Sequence, residues 1–122
     1  MENSGILQLL LATIKKMSNQ EITTIKQLEA LIKANQAITF VNFYSPHCRP
    51  CMMLKPVLEH LVNQNQINLI KVNVLALPEI ASAYDVNQWP TNFIYQNQHL
   101  VKTVIGYQDL DAWQMLLKNL KS

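Results

Sequence analysis

The stretch A-I-T-F-V-N-F-Y, residues 37–44, constrains the fold most. It is a nearly unbroken run of apolar, β-branched and aromatic residues, followed at once by S-P-H-C-R-P-C. A run like this, without alternation, suggests a central strand buried on both faces. Such a strand needs a layer above it and another below it. The residues after it supply one. From Cys48 to about Asn63 the positions Leu54, Val57, Leu58, Leu61 and Val62 form the apolar face of a helix. Pro56 lies inside that helix and is expected to kink it.

The same spacing rules divide the rest of the chain. E-I-T-T-I (21–25) reads as a short strand, and 26–35 as a helix with Leu28, Leu31 and Ile32 on one side. I-N-L-I-K-V-N-V (67–74) is the next strand, and P-E-I-A-S-A-Y (78–84) a helix opened by a proline. W-P-T (89–91) leads into a strand over 92–96. A turn at N-Q-H leads to a last strand, 99–105, which Gly106 ends. The final helix, from about Asp109 to Leu120, buries Leu110, Trp113, Leu116, Leu117 and Leu120. The order is βαβαβαββα. Strand-helix-strand units favour parallel neighbours and the closing hairpin an antiparallel pair. The expected class is α/β: one mixed sheet with helices on both faces.

Residues 4–17 carry apolar positions at helical spacing, so residues 1–20 read as a helical N-terminal extension and 21–122 as the domain. That extension could pack on its own domain or on a second copy, or dock elsewhere, a membrane surface included. Its apolar run is too short to span a bilayer. Glu2 precedes the run and Lys15 and Lys16 follow it, the reverse of a secretory signal. A reducing, cytoplasmic setting is expected.

Composition removes several function classes. The chain has 122 residues, a net charge of +2 and no basic run interleaved with aromatics, which argues against nucleic acid. Gly5 and Gly106 are the only glycines, so no glycine-rich phosphate loop exists. The 12 Asn and 11 Gln point to an amide-rich surface and carry no chemistry of their own. Two cysteines, Cys48 and Cys51, do not make a disulfide framework. Their spacing fits a redox pair, half of a metal site, or two apolar neighbours. A zinc site usually takes four ligands, and no second Cys-X-X-Cys is present. His60 and His99 read as surface residues, and Met52 and Met53 as core and groove packing.

The H-C-R-P-C motif between a buried strand and a helix, Pro56 five residues after Cys51, the later W-P-T, and Gly106 after the last strand coincide. With them the chain, over roughly residues 20–120, resembles the thioredoxin family, whose hallmark reads W-C-G-P-C. The resemblance implies a thiol–disulfide oxidoreductase acting on protein disulfides, without metal or organic cofactor. Cys48 would be the nucleophile and Cys51 the resolving thiol. Helix N–H groups and the helix dipole favour an anion at the first cysteine. Pro90 would be cis, and Trp89, Pro90 and Thr91 would border the substrate groove. Disulfide-containing proteins are the implied substrates, and a thioredoxin reductase an implied partner. An adaptor that keeps the fold but not the activity is the competing reading.

Three residues depart from the family pattern, and a fourth, Lys71, keeps to it without its usual partner. His47 stands in place of tryptophan, and Arg49 in place of glycine. A positive charge beside Cys48 should favour its thiolate and make the pair more oxidising. Asn42 stands where the family has a buried aspartate that helps take the resolving thiol's proton. Lys71 stands where that aspartate's partner lysine is expected. Slower resolution of the mixed disulfide is expected.

Overall fold

The computed structural model describes residues 17–35 and 37–121. The expected helix over 4–17 lies outside them, apart from Met17. The elements in chain order are β1 (Asn19–Glu21), α1 (Ile25–Ala34), β2 (Thr39–Tyr44), α2 (Arg49–Asn63), β3 (Asn68–Asn73), α3 (Pro78–Ala83), β4 (Thr91–Gln96), β5 (His99–Ile105) and α4 (Leu110–Lys121). The βαβαβαββα order is as expected.

The sheet runs β1-β3-β2-β4-β5. β1 and β2 pair with β3 in parallel, whereas β4 pairs antiparallel with both β2 and β5. The run that looked doubly buried is the central strand, and its first five residues are buried. Its side chains alternate between two cores. Phe40 faces the layer of α2 and α4, with Leu54, Leu58, Leu61, Trp113 and Leu117. Val41 and Phe43 face the layer of α1 and α3, with Leu28, Ile80 and Ala81. Asn97 and Gln98 make the hairpin turn, both with positive φ, as a two-residue primed turn requires.

One strand sits earlier than expected. The first strand ends at Glu21, and Ile25 already belongs to α1. The reason is capping. Thr24 accepts a hydrogen bond from the Gln27 N–H through its Oγ1, and Gln27 Oε1 accepts from the Thr23 N–H. This reciprocal pair closes the helix start over residues whose β-branching favours a strand. The amide-rich composition also reaches inside. Asn42, Asn68 and Asn92 are buried, and Gln66 and Gln114 tie the turn after α2 to α4 by two mutual hydrogen bonds.

Candidate active site

β2 delivers the cysteine pair. The chain leaves the sheet at Tyr44, Ser45 accepts at its Oγ from the His47 N–H, and Cys48 N-caps α2. Cys48 is extended in backbone, and its sulfur accepts from the Cys51 N–H at 3.2 Å. A sulfur in that place satisfies one of the helix's orphan donors, the role an oxygen plays at an ordinary N-cap. The two cysteines form a disulfide with Cα atoms 5.2 Å apart. Cys48 is half-buried and Cys51 is buried at 7% exposure, one turn inside the helix. Cys48 is therefore the more accessible of the two sulfurs.

The Trp89–Pro90 bond is cis. The Trp89 carbonyl oxygen lies 3.6 Å from Cys48 Sγ. Pro90 is buried, and its carbonyl oxygen accepts from the Gly106 N–H at 2.8 Å. Thr91 is buried, and its hydroxyl donates to the Gln88 carbonyl. Trp89 is 40% exposed beside a groove of about 450 Å³ lined also by Val74, Ala81, Asp85 and Val86. Gly106 takes φ +95°, in the left-handed region that favours glycine. So the Trp89 carbonyl lies beside Cys48 across about 40 residues of sequence, with Pro90 and Thr91 next in the chain. His47 and Arg49 flank Cys48 and are exposed. Met52 and Met53 were expected as core and groove packing; neither is in the core, whereas Met52 lines a cleft with Cys51. Both are exposed, because Cys51 and Leu54 occupy the inward positions of that turn.

Beneath the pair, strand register sets a polar row. Glu21 pairs with Lys71, Lys71 with Asn42, and Asn42 with Asn92. Asn42 is 3% exposed and donates through its Nδ2 to Asn92 Oδ1 at 3.0 Å. The Asn92 Nδ2 is buried without a partner. Lys71 lies with its Nζ 4.3 Å from the Tyr44 ring centroid, a cation–π arrangement. Tyr44 in turn donates its hydroxyl to a Glu21 carboxylate oxygen. Burial lowers the Lys71 amine from its ordinary value, and Lys55 lowers it further, while Glu21 and Glu59 oppose the fall. Burial, then Glu21, raises the Tyr44 phenol.

Cys51 meets Glu21, Lys71 and Asn42 of this row in a cleft of about 300 Å³. Its walls include Cys51, Asn42, Tyr44, Lys71, Glu21 and Lys55. Asn42 and Lys71 were expected near the pair. Glu21 and Tyr44 were not, because only the register of β1, β3 and β2 brings them there, and pairing with β4 sets Asn92 beside Asn42. Among the described residues, no three His, Cys, Asp or Glu side chains come together as a metal site. No helix among them is long and apolar enough to cross a membrane.

The thioredoxin family model matches residues 19–119. Thioredoxin 1 of Synechococcus elongatus is 37% identical over 68 residues, 54% of this chain and 64% of that protein. Thioredoxin of Pyropia yezoensis is 32% identical over 92 residues, 74% of this chain and 85% of that protein. Among solved structures, a mutant thioredoxin of Halobacterium salinarum superposes with a TM-score of 0.76 at 30% identity, covering 84% of this chain and 89% of that one. The match over nearly the whole described chain, with the cysteine pair at a helix start beside a cis-proline, has one reading: the chain belongs to the thioredoxin family.

Proposed function

We propose that this protein is a thiol–disulfide oxidoreductase that reduces or exchanges protein disulfides, with Cys48 as nucleophile and Cys51 as resolving thiol. The supporting observation is the asymmetry of the pair. Cys48 is the more accessible sulfur and accepts the Cys51 N–H at a helix start, where an anion is favoured. Cys51 is buried behind it.

In the reduced protein the Cys48 thiolate attacks one sulfur of a substrate disulfide. The substrate S–S bond breaks, a Cys48–substrate bond forms, and the first substrate sulfur leaves as a thiolate that takes a proton from solvent. Cys51 then loses its proton and attacks Cys48 Sγ. The Cys48–Cys51 bond forms, and the second substrate sulfur leaves and is protonated in turn. Two electrons pass from the dithiol to the substrate disulfide. An extended substrate segment would lie along Trp89, Pro90 and Thr91, and His47 and Arg49 would bias Cys48 toward its thiolate.

A thioredoxin reductase or a small dithiol would return the pair to its reduced form. A reducing, cytoplasmic setting agrees with a cysteine content of two, both placed in the exchange site. The test is reduction of insulin disulfides by the full chain with dithiothreitol as electron source. Turnover that disappears in Cys48→Ser supports the proposal. No rate above dithiothreitol alone would leave an adaptor that keeps the fold.

A further inference from the structure

Resolution of the mixed disulfide needs a proton acceptor for Cys51. Asn42, a buried polar wall of the cleft that Cys51 lines, carries an amide and cannot serve. The cleft that Cys51 lines offers four ionisable side chains: Glu21, Tyr44, Lys55 and Lys71. Tyr44 already donates to Glu21 and is pushed toward its protonated form. Lys55 is exposed. Lys71 differs from these. It is half-buried, faces the cleft in the same row as Asn42, and is seated on the Tyr44 ring, which the Glu21 hydrogen bond holds in place. At about 300 Å³ the cleft has room for several waters, each needing about 30 Å³, between polar walls.

Resting on the exchange mechanism above, we propose that the neutral Lys71 amine is the proton acceptor for Cys51, reached through water in this cleft and positioned by Tyr44 and Glu21. The Cys51 S–H bond breaks as its proton passes along the water to the Lys71 nitrogen. The sulfur electron pair forms the bond to Cys48 Sγ, and the substrate thiolate leaves. The resulting ammonium returns its proton to the leaving thiolate or to solvent, so no further oxidant or reductant is involved. A lysine is suited to this because burial moves its amine toward the working range, which a guanidinium never enters. The titratable groups that face Lys71 are Glu21 from β1, Tyr44 from β2, and Lys55 and Glu59 from α2.

The experiment uses the reduced full-length protein and an aromatic disulfide that releases a coloured thiolate at each step. The first release reports attack by Cys48, the second attack by Cys51. Lys71→Arg places a permanent positive charge at that position and cannot accept a proton. It should slow the second release by about 100-fold near neutral pH, the low end of general-base contributions, and leave the first unchanged. Glu21→Gln removes a carboxylate that favours the ammonium, so the pH midpoint of the second release should fall. A second release in Lys71→Arg as fast as in the wild type would reduce Lys71 to a fixed charge and overturn the proposal. So would a pH midpoint unmoved by Glu21→Gln. Absence of the first release in the wild type would instead count against the oxidoreductase reading itself.

Discussion

Asn42→Asp places a carboxylate where the wild type has an amide, at a position 3% exposed. An ionised aspartate only accepts hydrogen bonds, so the present donation to Asn92 Oδ1 is lost. It is regained if Asn92 turns its amide, because the Asn92 Nδ2 has no partner now. That donor and Lys71, opposite in the β3 register, favour the charged form, and burial opposes it. Full burial raises a carboxyl by as much as roughly 3–5 units, and these two partners offset part of the rise. We take the carboxyl to move from about 3.9 unfolded to about 6 folded. A value raised on folding makes the penalty small below the unfolded value. The penalty grows as pH rises and levels off above the folded value. The arithmetic gives a loss of about 2.8 kcal/mol at pH 7 and about 0.5 kcal/mol at pH 4. Urea unfolding of wild type and variant at both pH values measures it. A loss equal at the two pH values would refute the reasoning, since it would mean that position 42 is solvated. In the same variant, release of substrate from the mixed disulfide should speed up near neutral pH.

Two further outcomes follow from other sites. Arg49→Gly removes an exposed charge beside Cys48, so the reduction potential should become more negative by about 10–20 mV, the equivalent of an exposed charge interaction. Equilibration with glutathione reads this, and an unchanged potential contradicts it. Trp113 is fully buried against Phe40, with ring centroids 5.2 Å apart, and its Nε1–H is buried without a partner. Trp113→Phe removes that unpaired donor while keeping an aromatic ring, so it should cost about 1 kcal/mol. Trp113→Ala should cost about 3–5 kcal/mol. Thermal unfolding that ranks the two variants alike would contradict this.

Much of the frame was legible because burial imprints itself on pattern. β2 reads as central because both its faces are apolar, and α2 because Leu54, Leu58 and Leu61 repeat with the helix. The cysteine pair and Pro90 were legible as motifs, since their chemistry is local to a few residues. What stayed hidden depends on register. Nothing near Asn42 in sequence names Asn92 as its partner, and only antiparallel pairing of β2 with β4 makes them neighbours. Glu21, Tyr44 and Lys71 likewise meet through two parallel pairings. A signal did exist: Asn92 sits in the same inward phase as Ile94, where a polar side chain needs a buried partner. The boundary of β1 was missed for a different reason. β-branched Thr23 and Thr24 favour a strand by propensity, but a capping hydrogen bond gave them to the helix.

The most direct measurement is capture of the mixed disulfide in Cys51→Ser. Reduced variant mixed with a disulfide-containing protein should accumulate a covalent complex, and peptide mapping by mass spectrometry should place the bond at Cys48. The matched Cys48→Ser protein, its remaining thiol buried at Cys51, should form little complex over the same time. Equal trapping by the two variants, or none by Cys51→Ser, would contradict the division of roles on which the mechanism stands.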